Sequence, residues 1–168
     1  NVQIENATYT NFPWLAEGSA TFDNTACDNI TIKNSSFIQT NVDTHRLYAG
    51  IGSHTHVADH PHTNINISNN KIVNPTSYGI RLVNVIGATI DHNTLSDNIY
   101  AYINTDTIAI TVNRTGNNIV IRNNVFDGFN RSHIYLDTTS AEDVTISENI
   151  SKNLYGEMIG GGESIAIR

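Results

Sequence analysis

A six-residue pattern of apolar and polar positions, Ile-x-Asn-x-x-apolar, recurs along this chain. It begins at Ile4, Ile32, Ile67, Ile90 (where the Asn comes one place late) and Ile121, and a shortened version begins at Ile146. Successive starts lie 28, 35, 23, 31 and 25 residues apart, so a unit of roughly 23–25 residues repeats with insertions. Repetition at such a period is typical of a solenoid, in which each unit buries its apolar face by stacking on its neighbours.

Within each repeat the apolar positions predict three short strands. The first alternates with a period of two, as a strand with one buried face does, and its apolar pairs are Ile30/Ile32, Ile65/Ile67, Ala88/Ile90, Ile119/Ile121 and Val144/Ile146. The second contains Tyr9, Phe37, Ile72, Leu95, Phe126 and Ile150. The third contains Ala20/Phe22, Ile80/Leu82, Tyr100/Tyr102 and Ile134/Leu136. Helical periodicity is absent, so we predict an all-β parallel β-helix of about six to seven coils, a single domain over residues 1–168.

Asparagine is the commonest residue, with 24 positions beside 23 isoleucines. Because Asn ordinarily interrupts strands and Ile favours them, this combination needs a structural reason. Stacked coils supply one, since Asn side chains at the same turn of successive coils form hydrogen-bonded ladders. The alternative is a low-complexity, prion-like tract, and the regular spacing of isoleucine argues against it.

The charge and the apolar content exclude several classes of partner. The formal net charge is −7 and no run of Lys or Arg occurs, which argues against binding to nucleic acid. No apolar stretch approaches 18 residues, so we expect no insertion into a membrane. Cys27 is the single cysteine, so no internal disulfide is expected.

Two insertions are predicted between the third strand of one coil and the first strand of the next, at residues 53–63 and 105–117. In the coil between them the connection at the same corner is short, at residues 84–87. Since coils stack at the inter-strand spacing of ~4.8 Å, two loops that are two coils apart should lie about 10 Å from one another. We therefore predict that they form the walls of a cleft over the short middle coil.

The histidines of the first insertion are the strongest candidates for chemistry. His54-x-His56 and His60-x-His62 would each place two imidazoles on one face of an extended segment, a spacing that suits a transition metal with Asp59 as a further ligand. We prefer the alternative, a polar exposed loop whose histidines bind sugar hydroxyls or no ligand at all, and so expect no metal and no cofactor. A third role is that of a general base, which imidazole can fill near neutral pH.

Charged residues of the second insertion and polar residues of the third strand complete the predicted site. Asp106 could act as a general acid or nucleophile in glycoside cleavage, with Arg114 beside it and Asp97, Asp127 or Asp137 as the second carboxyl group. On the third strand, alternation turns His133, Tyr135 and Asp137 outward, and the same parity turns Arg81 outward. These four residues form a candidate sugar-binding strip, although outward polar residues on a strand are ordinarily only solvated.

The segments NINISNN at 64–70 and GIRL at 79–82 resemble the right-handed parallel β-helix superfamily. That group includes pectate lyases, polygalacturonases, alginate epimerases and bacteriophage tailspike depolymerases, and the resemblance implies a polysaccharide bound along the outer face. Asn104-Thr105-Asp106 is similar to the Asn-Thr-Asp element of polygalacturonases, but the Asp-Asp pair, the Gly-His-Gly and the Arg-x-Lys of that family are missing. No active site is carried over, and the chain looks most like part of a phage tailspike or tail appendage.

Two functions fit these features. The first is a depolymerase, a glycoside hydrolase or polysaccharide lyase, with Asp106, His54 and Arg114 as catalytic residues; its substrate-binding residues would be His56, His60, His62, Arg81, His133, Tyr135 and Asp137. The second is a non-catalytic structural or receptor-binding β-helix of a phage tail or secreted adhesin. Both imply an extracellular or virion location and a bacterial surface polysaccharide as partner. Both ends of the sequence look like uncapped repeats, so we expect a fragment of a longer chain or capping by oligomerisation, for example as a homotrimer.

Overall fold

The computed structural model describes residues 2–10, 20–23, 27–40, 49–54, 61–97, 107–155 and 157–161. These residues form fifteen strands: β1 (Val2–Glu5), β2 (Thr8–Thr10), β3 (Ala20–Asp23), β4 (Asp28–Lys33), β5 (Ser36–Ile38), β6 (Ala49–His54), β7 (His62–Ser68), β8 (Lys71–Val73), β9 (Tyr78–Asp91), β10 (Thr94–Asp97), β11 (Ile108–Arg122), β12 (Val125–Gly128), β13 (Ser132–Ser147), β14 (Ile150–Lys152) and β15 (Glu157–Gly161). In this described part of the chain no helix is long and apolar enough to cross a membrane.

The strands form two parallel sheets that the chain visits in turn. The larger sheet has nine strands, and its main path runs β1-β4-β7-β9-β11-β13-β15, with β3 and β6 joined beside it. The smaller sheet has six strands in the order β14-β12-β10-β8-β5-β2. Each coil contributes strands to both sheets, and every recorded pairing between strands is parallel. The chain is therefore a parallel β-helix, which confirms the fold that the repeat predicts.

The isoleucines that open the repeats stack in one interior column. Ile4 pairs with Ile32, which pairs with Ile67, and the register continues through Ile90 and Ile121 to Ile146. The four central members of the column are at most 1% exposed. This column confirms the prediction from the Ile-x-Asn spacing. It also places the apolar core between the two sheets, where a β-branched side chain fits a pleated surface.

Asparagine occupies the corners of the coil. The turn between the larger and the smaller sheet holds six residues with φ between 53° and 55°: Asn6, Asn34, Asn69, His92, Asn123 and Glu148. Most L-residues avoid this left-handed region, and Asn tolerates it because its short polar side chain hydrogen-bonds locally. The corners thus give a second reason for the abundance of Asn, beyond the predicted ladder.

The ladder itself lies one residue further along the same turn. The backbone N–H of Asn70 donates to Oδ1 of Asn93 (2.9 Å), that of Asn93 to Oδ1 of Asn124 (2.9 Å), and that of Asn124 to Oδ1 of Asn149 (3.0 Å). The side-chain amides repeat these links at 3.0 Å. Asn70, Asn93 and Asn124 are buried, so the ladder supplies partners to polar groups that water does not reach. The predicted Asn ladder is confirmed.

The third predicted strand is correct in three coils and wrong in one. In the larger sheet Ile80 and Leu82 pair with Ile110 and Val112, which pair in turn with Ile134 and Leu136. Ile110 and Val112 therefore hold the positions that the sequence pattern assigns to Tyr100 and Tyr102, two residues outside the described part of the chain.

The last complete coil also departs from the predicted register. Phe126 pairs with Ser151, and Ile150 pairs with Val125. Ser151 thus occupies the inward position predicted for Ile150, and Ile150 is 53% exposed. The repeat at Ile146 is therefore of full length, and Ser151 occupies the position that an apolar residue holds in the other repeats.

Candidate functional site

The prediction that two insertions form a cleft at one corner of the coil is wrong. Residues 108–117 belong to β11, which pairs continuously with β9 on one side and β13 on the other, apart from a register shift near Arg114. The long connection of this coil comes earlier, between the end of β10 at Asp97 and the start of β11 at Ile108. It therefore follows the smaller sheet, whereas the connection from β6 to β7 lies between two strands of the larger sheet.

Several residues of the predicted site lie outside what the structure describes. Asp106, His56 and His60 are outside the described residues, and the side chains of His54 and Asp137 are too. The backbone of His54 pairs with Asp23 at the end of β6, and that of Asp137 pairs with Asn113. The catalytic roles of Asp106 and His54 remain predictions.

Arg114 is exposed at an irregularity in β11. Its φ is 66°, and Arg114 and Thr115 of β11 stand opposite the single residue Asn84 of β9, where the register between these strands shifts. An extra residue of this kind bends the strand and directs its side chain away from the ladder. Arg114 is therefore accessible, but it lies on the strand bend and not in a loop that faces the β6–β7 connection.

His62 is a structural residue, although the sequence suggests an exposed substrate contact. It opens β7 and is 0% exposed. Its Nδ1 accepts a hydrogen bond from the backbone N–H of Cys27 at 3.1 Å, across to the neighbouring coil. His62 therefore belongs to β7 and not to the loop predicted at residues 53–63, and its burial keeps a sugar from reaching the imidazole in the folded chain.

His133 is also buried, and the prediction that it faces outward is wrong. Its side chain is 0% exposed and lies against Phe126 and Phe129, at ring-centroid distances of 5.4 and 6.0 Å. Nε2 lies 2.9 Å from the backbone oxygen of Gly128, and Nδ1 lies 2.8 Å from Oγ of Ser151. Because a carbonyl oxygen only accepts, Nε2 carries the proton, and the Ser151 hydroxyl donates to Nδ1.

Burial lowers the pKa of His133, while the hydrogen bond to Gly128 and the charge of Asp127 oppose this shift. The folded protein therefore holds the imidazole neutral at a pH where the unfolded chain, with an ordinary pKa of ~6.5, already binds a proton. The stability contributed by the neutral His133 is present above pH ~6.5 and is lost as the pH falls from there towards the lower folded-state pKa.

We expect the free energy of unfolding of the wild type to decline more steeply than that of His133→Gln between pH 7.5 and pH 5. The variant keeps a polar side chain at this position but has no group that titrates there. Urea unfolding at intervals across this range measures both curves. A difference between the two proteins that stays constant with pH would contradict the assignment.

Two other predicted residues come together on the outer face of the larger sheet. Thr111 pairs with Arg81 on one side and with Tyr135 on the other, so the three residues form one row across β9, β11 and β13. Arg81 and Tyr135 are partly exposed, and Thr111 is buried between them. With Tyr78 and Arg131, which contact them, these residues are called the Arg81–Tyr135 strip.

Each arginine of the strip lies over a tyrosine ring. The guanidinium carbon of Arg131 is 4.4 Å from the centre of the Tyr135 ring, and that of Arg81 is 5.5 Å from the centre of the Tyr78 ring. Both distances lie within the ~6 Å over which a guanidinium is attracted to the face of an aromatic ring. The strip thus combines flat aromatic surfaces with several hydrogen-bond donors across two coil spacings, about 10 Å.

Two of the carboxyl groups proposed for acid–base catalysis, those of Asp97 and Asp127, belong to strands of the smaller sheet, whereas the strip lies on the larger one. Asp97 is 1% exposed at the end of β10, and Asp127, in β12 of the smaller sheet, accepts a hydrogen bond from Asn153 at 2.7 Å. Among the described residues no group of three His, Cys, Asp or Glu side chains is placed to hold a metal ion. The described part of the strip can bind a polar ligand, but it contains no pair of carboxyl groups for glycoside cleavage.

Sequence reasoning missed Tyr78, Thr111 and Arg131 as members of the strip. The signal for Arg131 is its position four residues before Tyr135, immediately ahead of β13. Thr111 could not be predicted, because the sequence pattern assigned the strand beside Arg81 to the segment around Tyr100 and Tyr102 instead of the segment that contains Thr111.

Comparison with known proteins gives structural neighbours only. No family model and no curated protein matches this chain. A crystal structure of PfbA, a surface adhesin of Streptococcus pneumoniae, is similar with a TM-score of 0.53 and 16% identity, over 79% of this chain and 46% of that one. A second structure of the same adhesin has a TM-score of 0.46 and 17% identity, over 84% of this chain and 49% of that one. This chain thus spans about half the length of the structures it matches, and the likeness concerns the fold.

Proposed function

We propose that this β-helix is an extracellular recognition module, of the surface-adhesin type, that binds glycans without cleaving them. The observation that carries the proposal is the Arg81–Tyr135 strip, a partly exposed face on which arginine and tyrosine side chains of β9, of β13 and of the residue just before β13 contact one another. The similarity of the fold to a surface adhesin supports the same class of function. It offers no support for a phage-tail origin or for a trimer.

The chemistry of the strip suits a saccharide surface. Tyrosine presents a flat apolar ring with a hydroxyl at its tip, and the ring can lie against the apolar face of a pyranose. The guanidinium groups of Arg81 and Arg131 donate to ring hydroxyls or to an acidic substituent. Tyr78, Arg81 and Tyr135 belong to strands of the larger sheet, so the backbone that carries them is already ordered before a ligand binds.

Glycan cleavage is the less supported alternative. The depolymerase hypothesis depends on a cleft with two carboxyl groups, and the continuous strand β11 removes one wall of that cleft. Incubation with capsular and teichoic polysaccharides, followed by measurement of new reducing ends, tests the alternative directly. A binding module releases none.

Binding should depend on both stacked pairs of the strip. On an array of bacterial and host-surface glycans, we expect Arg81→Gln and Tyr135→Ala each to weaken binding by tenfold or more, because each removes one half of the contact surface. Kd values for the best array ligand, from titration calorimetry, quantify the loss.

Lys152→Gln is the matched control, since Lys152 is an exposed cation on β14 of the other sheet. It should bind like the wild type. Equal weakening in the control would indicate a general effect of charge, and full binding by both strip variants would rule out the strip as the site.

A further inference from the structure

A second polar surface lies at the corner between the two sheets, on the Asn-rich turn. It is an open groove of ≈ 430 Å³ bounded by two rows of side chains from three successive coils. One row contains Asn34, Asn69 and His92, and the other contains Ser36, Lys71 and Thr94. This volume falls within the range of small-molecule sites in proteins, about 300–1,000 Å³.

The floor of the groove is part of the Asn ladder. Ser35 and Asn70 line it, and both are buried. The backbone N–H of Ser35 donates to Oδ1 of Asn70 (3.0 Å), and the amide of Asn70 donates to the backbone oxygen of Ile32 (2.8 Å). The groove is thus fixed by hydrogen bonds between coils and is preformed for a ligand.

The amides on the rim are free to bind, unlike those of three other corner asparagines. Asn29 and Asn64 donate to Asp28 at 2.7 and 2.8 Å, and Asn123 donates to Asp91 at 3.0 Å. Within the described residues, by contrast, the structure records no hydrogen bond or ion pair from the side chains of Asn34, Asn69 or Lys71.

The rim also lacks a carboxylate, although the chain as a whole is acidic. The lining residues are amides, hydroxyls, one lysine and one histidine. Asp91, which precedes His92 in the chain, contacts Nδ1 of His92 at 2.7 Å, a guanidinium nitrogen of Arg122 at 3.4 Å and Asn123. The charge of Asp91 is therefore already balanced. Both rows of the groove offer hydrogen-bond donors and acceptors, and Lys71 adds a cation that only donates.

We propose that this groove, which we name the Asn34–Asn69 groove, binds one pyranose unit of a glycan through adjacent hydroxyl groups. An amide presents a donor and an acceptor in one plane, which matches two neighbouring hydroxyls of a sugar ring. Asn34 and Asn69 repeat this arrangement at the coil spacing of ~4.8 Å, and Lys71 adds donors from the opposite row. The site lies on a different corner from the Arg81–Tyr135 strip and stands independently of it.

The test is a titration of the ¹⁵N-labelled protein followed by NMR, with D-galactose, D-mannose, N-acetyl-D-glucosamine and D-glucuronic acid as separate probes. We expect at least one probe to shift the side-chain amide signals of Asn34 and Asn69 saturably. Asn69→Gly should raise the Kd for that sugar tenfold or more, and Lys71→Gln severalfold. Glycine suits this position because Asn69 has φ 54°, which glycine adopts without strain.

Two matched variants make the result specific. Asn118→Gly removes an exposed Asn with the same φ of 54° at another corner, and Lys152→Gln removes an exposed cation of β14 outside both surfaces; both should leave the titration unchanged. If glucuronic acid shifts the signals and the effect weakens with salt, the groove binds an acidic sugar. If one of the other probes shifts them independently of salt, the groove binds a neutral sugar. If no probe moves these signals, or if Asn69→Gly binds as tightly as the wild type, the groove is not a sugar site.

Discussion

Replacing Ile90 by alanine should lower the free energy of unfolding by about 2–5 kcal/mol. Ile90 is 0% exposed and pairs with Ile67 in the preceding coil and Ile121 in the following one. Removing three carbon atoms leaves a cavity that both neighbours line, and stacked strands cannot collapse into it without losing their register. Since domains are stable by only ~5–15 kcal/mol, this loss would be a large part of the total.

The chain provides its own control in Ile150→Ala. Ile150 belongs to the same repeat pattern but is 53% exposed, so its truncation should change the free energy of unfolding by less than about 0.5 kcal/mol. Guanidinium unfolding curves of the two variants and the wild type supply the comparison. Similar losses in both variants would mean that the isoleucine column does not form the core.

The repeat could be predicted from sequence because its signal is redundant. Each isoleucine of the column occurs with an Asn two or three residues later, and the same combination returns in every coil. A single coil with a different residue, such as Ser151 in place of an apolar one, does not obscure a pattern that five other coils keep. The column and the ladder follow from that spacing alone.

The position of the long connections could not be predicted in the same way. Both the segment around Tyr100 and Tyr102 and the segment around Ile110 and Val112 alternate apolar and other residues, so a period of two does not choose between them. The choice depends on which segment pairs with Ile80 and Leu82 in the neighbouring coil. When the wrong segment is chosen, the insertion is assigned to the wrong corner of the coil. The predicted cleft depended on that assignment.

The burial of His133 has a different cause. Alternation along β13 assigns it to the outer face, but its row is enclosed by the smaller sheet. In the same row, a Cβ on Gly79 would lie 2.5 Å from both Cδ2 of Leu95 and the backbone oxygen of Ala109. A glycine inside a strand marks such a close approach. The row therefore contains a signal that the sequence analysis could have used. Three of its four positions hold small residues, Gly50, Gly79 and Ala109, which indicates that the fourth, His133, is enclosed as well.

The second large effect is expected at the Asn ladder, where Asn93→Leu should lower the free energy of unfolding by ~3–6 kcal/mol. Oδ1 of Asn93 accepts from the backbone N–H of Asn70 (2.9 Å) and from its side-chain amide (3.0 Å). Leucine has nearly the same size but no acceptor, so two buried donors lose their partner, and each unsatisfied donor costs ~1–3 kcal/mol. The backbone oxygen of Ile67 loses the amide that donates to it at 2.9 Å.

Asn66→Leu separates the loss of the ladder from the change of residue type. Asn66 lies on β7 of the larger sheet and is exposed, so the same substitution there removes no buried acceptor and should cost less than about 0.5 kcal/mol. Hydrogen exchange provides a local readout, because the backbone amide of Asn70 should exchange faster in Asn93→Leu and at the wild-type rate in Asn66→Leu. Equal stability of the two variants, with the Asn70 amide still protected, would mean that water or a shifted backbone replaces the ladder, and that the Asn column is not what holds this corner of the coil in register.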